Sequence, residues 1–264
     1  YMPCFCCWIA MSPWKIVPDR LKKHPMIPKI IHYCWFGHGK MPELACKCIS
    51  SWRKHLPDYV IKEWNEDNFD LNAYPYVREA YDHRKFAFVT DVVRLYALYT
   101  EGGIYMDTDV EVLKPLDAFL HHVAFSGFED DYNIPTGIMG AEKGSVWAKE
   151  NLAYYEERHF TKEDGRMDVT TNVVTLTNYM LPLGLKQNNT FQDFPGVITF
   201  YPKDYFCPKS HVDEKLYLTD NSHTIHHFSG SWVPAYRRKW RSILLKIGGV
   251  RLKNIVKKIC GGYK

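Results

Sequence analysis

One stretch, residues 86–109, constrains the fold more than any other part of the sequence. Residues 86–100 place apolar side chains on a broad face at helical spacing, and two glycines follow where such a helix is expected to end. The apolar run 104–106 then predicts a short buried strand that finishes in Asp107 and Asp109. A helix that turns back into a buried strand is typical of an α/β sheet with crossover connections.

The same alternation continues along the chain and favours a single α/β domain. We predict strands at residues 28–36, 59–64, 104–106, 111–113, 123–128, 137–141, 197–201 and 224–228, and helices at residues 42–55, 74–83, 86–100, 145–158 and 169–181. The sequence contains no internal repeat and no Pro/Gly-rich linker. We therefore expect the domain at residues 26–236, an N-terminal extension outside the fold at residues 1–25, and a basic tail at residues 237–264.

The charge of this 264-residue chain is concentrated at its C-terminal end. The net charge is +4, but residues 237–264 contain ten Lys or Arg and no acidic residue, so the preceding residues carry a net −6. This distribution argues against a nucleic-acid partner bound across the whole surface. The tail mixes its basic residues with Ile, Leu and Val, which predicts a helix on an anionic membrane surface. A solvated basic end packed on the domain explains the same pattern.

The cysteines and the hydropathy bear on the cellular compartment. The cysteines show C-x-C spacing, whereas structural zinc sites use C-x-x-C pairs. We find no convincing secretory signal and expect reduced thiols. No apolar run reaches the roughly 18–20 residues that span a bilayer. The expected location is cytoplasmic, with a peripheral position on the inner face of the membrane as the further expectation.

The acidic pair Asp107 and Asp109 points to metal chemistry. Carboxylate oxygens are hard ligands that suit Mg²⁺ or Mn²⁺. Two of them at the end of a buried strand could hold a divalent cation against a phosphate. An Asp-rich turn without a metal explains the pair equally well when it is considered alone.

Three further groups of residues are candidates for ligand contacts. Asp91 and Arg94 share one face of the helix before the acidic pair, where they suit hydrogen bonds to sugar or phosphate, or a plain surface ion pair. Trp35 lies at the carboxyl end of the first predicted strand and Asn65 follows the second, at the edge where ligands bind in open α/β sheets. Residues 226–232 read HHFSGSW and offer histidines for Mn²⁺ and a tryptophan for stacking. Core aromatics and structural histidines remain alternatives.

Taken in order, these motifs resemble glycosyltransferase family 32. The resemblance covers about residues 27–235 and depends on the segments IPKIIHYCWFG, FAFVTDVVRLYALYTEGGIYMDTDV and HHFSGSW. The family includes bacterial capsular and exopolysaccharide enzymes, and these motifs are also similar to those of the clostridial glucosylating toxins. The resemblance implies a GT-A fold, a divalent metal, a nucleotide-sugar donor such as a UDP-hexose or GDP-mannose, and retention of anomeric configuration.

The resemblance also implies roles for single residues. Asp109 matches the direct metal ligand, and Asp107 matches the carboxylate that contacts ribose and sugar and lies beside the metal. Asp91 and Arg94 match donor-sugar contacts. Trp35 matches the residue that stacks on the donor base, and the strand-end position of Asn65 adds it to the predicted donor site.

The C-terminal motif matches less completely. His227 aligns, by its spacing to Trp232, with a metal-ligand position that is a Glu in the toxins. A hydroxyl-bearing ligand of the toxins falls on Gly230, so Ser229 or Ser231 is the expected substitute. Trp232 matches a residue near the leaving diphosphate.

These observations predict a metal-dependent retaining hexosyltransferase. It would move a hexose from a nucleotide sugar to a glycan or lipid-linked acceptor in surface polysaccharide synthesis. A Mg²⁺-dependent phosphatase of the haloacid-dehalogenase type also opens with Asp-x-Asp after an apolar strand, and there the first Asp is a nucleophile. In those enzymes the motif usually lies near the N-terminus. A non-catalytic carbohydrate-binding module would explain the aromatic residues but not the acidic pair.

Overall fold

The structure, a computed structural model, describes residues 27–134, 137–210 and 213–230. The predicted extension at residues 1–25 and the predicted tail at residues 237–264 lie outside the described residues, and the domain boundaries stay predictions. The strands are β1 (Ile30–Cys34), β2 (Val60–Trp64), β3 (Gly103–Met106), β4 (Val110–Val112), β5 (Ala124–Gly127), β6 (Ile138–Ala141), β7 (Gln192–Phe194), β8 (Ile198–Tyr201) and β9 (Thr224–His226). The α-helices are α1 (Glu43–His55), α2 (Pro75–Asp82), α3 (Phe86–Glu101), α4 (Val146–Ala153), α5 (Asn172–Met180) and α6 (Lys203–Phe206). None of the helices in the described ranges has both the length and the apolar character needed to cross a bilayer.

A seven-stranded mixed sheet, in the order β2-β1-β3-β6-β5-β8-β7, forms the centre of the fold. β1 runs parallel to β2 and β3, and β5 runs parallel to β8. β6 is antiparallel to both β3 and β5. As a result β1, β2, β3, β5 and β8 all point in one direction and end at the same edge of the sheet. The α/β class is confirmed, and the convergence of these strands beside the acidic pair is the arrangement expected of the GT-A fold.

Helix α3 is covered on several sides, and this explains its unusual burial. It packs on β1 and β3 and lies against α2 and α4. Val89, Val92 and Val93 have no exposed surface, and burying each such side chain stabilises the fold by about 1.5–3 kcal/mol. The same packing buries two charged residues of the helix, Asp91 and Arg94.

The turn from α3 into β3 depends on close backbone packing. Gly103 has a φ of +117°, and a Cβ at this position would lie 2.7 Å from the carbonyl oxygen of Ile30, so only glycine fits. Trp64 Nε1 donates to His32 Nδ1 at 3.0 Å, which leaves the proton of the ring on Nε2. His32 Nε2 therefore donates to the carbonyl oxygen of Gly102 at 2.8 Å. These contacts align the start of β3 with β1.

A second, two-stranded sheet is formed by β4 and β9, which pair antiparallel with Val110 opposite His226. Trp52 of α1 is fully buried, and its Nε1 donates to the carbonyl oxygen of Val110 at 2.7 Å. Ser51 Oγ accepts from the backbone N–H of Val112 at 2.9 Å. Helix α1 therefore holds β4, and β4 brings the C-terminal histidine segment to the acidic pair.

The structure differs from the sequence prediction at several elements, including the short helix α6, which was not predicted. The helix predicted at residues 145–158 ends at Ala153, and the helix predicted at residues 169–181 begins only at Asn172. Asp168 delays that start, because its carboxylate accepts from the backbone N–H and the hydroxyl of Thr170 and so competes with helical hydrogen bonding. The edge strand β7 was not predicted, since Gln192–Phe194 is too short and too polar to show a pattern.

We predict that Trp52→Phe destabilises the fold by about 1–3 kcal/mol more than Trp147→Phe, because the first change leaves a buried carbonyl without its donor. Both tryptophans are fully buried, and Trp147 Nε1 has no hydrogen-bond partner among the described residues. Chemical denaturation of the two variants measures the difference. Equal losses of stability would show that the bond from Trp52 to Val110 contributes nothing.

Candidate active site

Asp107 lies directly after β3, where its backbone and side chain are both held. Its N–H donates to the carbonyl oxygen of Gly137 at 2.8 Å, which continues the pairing of β3 with β6. The hydroxyl of Tyr105 donates to Asp107 Oδ1 at 2.8 Å. Because β3 is buried along its whole length, the strand presents this carboxylate at the sheet edge with little freedom to move.

Arg94 lies between two carboxylates from different elements. Its Nη2 atom is 3.4 Å from Asp91 Oδ1 and 3.2 Å from Asp107 Oδ1. Its guanidinium lies 4.6 Å from the centre of the Tyr105 ring. Burial, opposed by the charge of Arg94, raises the pKa of Asp91 to about 6. Asp91 and Arg94 are therefore not a plain surface ion pair, the alternative that the sequence left open, but part of a buried charge network that links α3 to the acidic pair.

Asn172 completes this network and was missed by the sequence analysis. It begins α5, where its backbone N–H donates to Asp91 Oδ2 at 3.3 Å. Its Nδ2 donates to the backbone carbonyl of Asp91 at 2.7 Å. A polar residue at the start of a helix was the only signal in the sequence, and it does not identify a partner 81 residues away.

Asp109 is held by the C-terminal segment. Its Oδ2 accepts from the backbone N–H of Ser229 at 2.7 Å, and its carbonyl oxygen accepts from the N–H of His227 at 3.0 Å. Asp109 Oδ1 lies 3.3 Å from His226 Nε2. Burial favours the neutral acid, but His226 and the hydrogen bonds from Ser229 outweigh it and hold the pKa of Asp109 below its ordinary value.

The histidine beside the acidic pair is His226, whereas the sequence indicated His227 as the metal ligand. His227 Nε2 lies 2.8 Å from Glu111 Oε2 instead. Successive side chains of an extended segment point to opposite faces, so His227 shares the face of Glu111 while His226 faces Gly137. A Cβ on Gly137 would lie 2.8 Å from His226 Nδ1, so the absence of a side chain there makes room for the ring.

Asp107, Asp109 and His226 form a set of groups that fits a divalent metal ion. One ligand atom from each lies within 4.8 Å of the others. Two carboxylates and an imidazole are ligands that suit Mn²⁺ and, with water, Mg²⁺. The residues present therefore fit the metal that the resemblance implies. Ser229 contacts Asp109 through its N–H, whereas Ser231, the other expected substitute ligand, lies outside the described residues.

Trp35 and Asn65 end two neighbouring strands at the same sheet edge as Asp107. Trp35 is partly buried, and its Nε1 donates to the carbonyl oxygen of Gly39 at 2.7 Å, which fixes the plane of the indole. Asn65 Oδ1 accepts from the N–H of Asp67 at 2.9 Å and shapes the turn after β2. Their predicted contacts with a donor stay predictions, and Trp232 lies outside the described residues.

Comparison with known proteins agrees with this arrangement. Residues 42–126, which include Asp91, Arg94 and the acidic pair, match the family model described as the glycosyltransferase sugar-binding region containing a DXD motif. This segment of the chain is similar to the DXD-containing glycosyltransferases. The resemblance to this family that the sequence indicated is therefore confirmed.

Two fungal proteins are among those similar to this chain. Inositol phosphoceramide mannosyltransferase 3 of Schizosaccharomyces pombe is 34% identical over 125 residues, which are 45% of this chain and 34% of that protein. Glucan organizing enzyme 1 of Cryptococcus neoformans is 27% identical over 265 residues, covering 87% of this chain and 67% of that protein. The solved structure of the PaToxG glycosyltransferase has a TM-score of 0.47 and 17% identity, over 61% of this chain and 70% of that one. The chain thus spans about a third of the length of the mannosyltransferase.

We predict that Arg94→Met destabilises the protein by about 3–5 kcal/mol, because it leaves the carboxylates of Asp91 and Asp107 without their shared counter-charge. The matched control is Arg78→Met, which removes an exposed i,i+4 pair with Asp82 and is expected to cost at most about 1 kcal/mol. Urea denaturation of both variants gives the comparison. Equally small effects would show that the buried network does not stabilise the fold.

Proposed function

We propose that this protein is a metal-dependent retaining glycosyltransferase. It moves a hexose from a nucleoside-diphosphate sugar to a hydroxyl group of a glycan or lipid-linked acceptor, in the synthesis of a surface polysaccharide. The observation that supports this best is the meeting of Asp107, Asp109 and His226 at the carboxyl edge of the parallel strands. Ligands bind at this edge in open α/β sheets.

The metal ligands we propose are Asp109, Asp107 and His226. A divalent cation, when bound there, supplies a positive charge that neutralises the departing nucleoside diphosphate. The backbone N–H of Ser229 and the ring of His226 hold the Asp109 carboxylate in place before any ligand arrives. Such preorganised electrostatic groups are often the largest contribution to catalysis.

Asp91 and Arg94 are placed to orient the donor sugar. The carboxylate of Asp91 can accept hydrogen bonds from sugar hydroxyls, and the guanidinium of Arg94 can donate to sugar or phosphate oxygens. Asn172 holds Asp91 from the other side through two hydrogen bonds. Because this network is already formed in the protein, little ordering is required when the sugar binds.

The nucleotide is proposed to bind on the β1–β2 side of the acidic pair. Trp35 would stack on the base, Asn65 would border the ribose, and Trp232 would contact the diphosphate. Mannosyl transfer is named for the inositol phosphoceramide mannosyltransferases among the relatives, which makes GDP-mannose the first donor to test. UDP-glucose, UDP-galactose and their N-acetylated forms complete the donor panel.

We predict that the wild-type protein releases nucleoside diphosphate from one of these donors only when Mn²⁺ or Mg²⁺ is present. Asp109→Asn abolishes this transfer because it removes the direct metal ligand, and a loss of at least about 10²–10³-fold is expected. A coupled diphosphate assay measures the rate, and thermal denaturation shows that the fold is retained. Undiminished activity of a folded Asp109→Asn variant would refute the metal role.

The two adjacent histidines supply a matched control for the same prediction. His226→Ala lowers the affinity for Mn²⁺, measured by electron paramagnetic resonance, on the order of tenfold or more. His227→Ala leaves that affinity within about twofold, since its ring pairs with Glu111 rather than with Asp109. The reverse pattern would restore His227 as the ligand and overturn the assignment of His226.

We also propose that the protein works at the cytoplasmic face of a membrane. Support comes from the basic and aliphatic composition of residues 237–264 and from the lipid substrate in the names of the mannosyltransferase relatives. We predict that the whole chain pellets with anionic phosphatidylserine vesicles and that a chain without residues 238–264 does not. Equal pelleting of the two chains would contradict a membrane role for the tail.

A further inference from the structure

The strands that end at the active edge divide into two groups on either side of the acidic pair. β1 and β2 lie on one side of β3 and lead to the residues proposed to bind the nucleotide. β5 and β8 lie on the other side, beyond the antiparallel strand β6. A group on the β5 side is therefore across the acidic pair from the residues proposed to bind the nucleotide.

Glu129 lies on this side, two residues after the end of β5. The N–H of Phe128 donates to the carbonyl oxygen of Tyr201 at 2.9 Å, which extends the pairing of β5 with β8 to this point. The N–H of Glu129 then donates to the carbonyl oxygen of Asn133 at 2.8 Å. The backbone of Glu129 is therefore held on both sides by the sheet and by the following turn.

The carboxylate of Glu129 is not needed to form that turn. Asp130 Oδ1 accepts from the backbone N–H groups of Tyr132 at 2.8 Å and Asn133 at 2.7 Å, which supplies the side-chain hydrogen bonds of the loop. Within residues 27–134, 137–210 and 213–230, no hydrogen bond or ion pair is made by the Glu129 carboxylate. Glu129 is only partly buried, so its carboxylate can still be reached by a ligand and can accept hydrogen bonds from it.

The surroundings of this carboxylate place it at the active site. Burial raises the pKa of Glu129 to about 7, and the charges of His226 and Asp107 also act on it. Glu129 follows β5, which pairs with β6, and β6 in turn pairs with β3, the strand that leads into Asp107. A carboxylate repels phosphate groups, so a contact with the diphosphate is unfavourable, whereas hydrogen bonds from hydroxyl groups are favourable.

We propose that Glu129 is an acceptor-binding residue that receives hydrogen bonds from hydroxyl groups of a polyhydroxylated ring, either a saccharide or an inositol. This inference depends on the proposed glycosyltransferase function and names the part of the site that binds its second substrate. The two oxygens of one carboxylate match neighbouring hydroxyls of such a ring. An acceptor held this way would present its nucleophilic hydroxyl on the β5 side of the donor sugar.

The test measures donor and acceptor kinetics for the whole chain. The wild-type protein is first assayed with the donor it uses and four acceptors, namely octyl α-mannoside, octyl β-glucoside, myo-inositol and inositol phosphoceramide in detergent micelles. The acceptor that the wild type uses best is then titrated with Glu129→Gln and with the control Asp131→Asn. Asp131 is exposed in the same loop, where it pairs with Lys203 at 2.6 Å.

We expect Glu129→Gln to raise the KM for the acceptor at least tenfold, to change the KM for the donor less than twofold, and to lower the ratio of transfer to donor hydrolysis. We expect Asp131→Asn to match the wild type in each value. A parallel rise in both KM values, or no rise in the acceptor KM, would overturn the proposal. A wild-type protein that hydrolyses the donor but uses none of the four acceptors would also overturn the proposal. A wild-type protein that shows no metal-dependent cleavage of any donor would instead reject the proposed glycosyltransferase function.

Discussion

The buried positive charge of Arg94 is the interaction on which the rest of the site depends. Asp91 comes from a helix and Asp107 from the end of a strand, and burying either carboxylate alone would be strongly unfavourable. Arg94 lies within 3.4 Å of one and 3.2 Å of the other, so α3 and β3 can pack only where their charges meet. The packing of α3 against the sheet therefore also determines where the acidic pair lies.

A second constraint comes from the small sheet of β4 and β9. The acidic pair is followed at once by β4, and pairing with β9 returns a segment from the far end of the chain to Asp109. Helix α1 holds β4 through the buried indole of Trp52. The third potential metal ligand, His226, is therefore positioned by contacts that begin at α1 and continue through β4 to β9. Perturbing this packing would disturb the site without touching any ligand.

The proposed division of the site into a nucleotide side and an acceptor side follows from strand order. β3 lies between β1 and β6, so the acidic pair stands at the boundary between the first strands of the chain and the later ones. A reaction that joins two substrates at one cation can use such a boundary, because each substrate then approaches from its own side. In our proposal Trp35 and Asn65 belong to the first side and Glu129 to the second.

Local patterns were sufficient to predict the elements that are strongly periodic. The apolar face of α3, the glycines after it and the short strand before Asp107 all appear within one stretch of sequence, and the structure contains each of them. Weak or competing local signals led to errors. The side chain of Asp168 delayed a helix, and the short polar strand β7 had no pattern to detect. His226 and His227 could not be distinguished, because the choice between two adjacent residues depends on the register of β9.

By itself the sequence determined the α/β class and the identity of the acidic pair, since both depend on contacts between residues that are close along the chain. Tertiary structure alone decided which histidine faces Asp109, that Asn172 supports Asp91, and that Glu129 borders the same edge. Each of these follows from the pairing and packing of segments that are distant in sequence. Such contacts depend on the burial of whole strands and helices. The spacing of residues within one segment does not show which distant segment it will pack against.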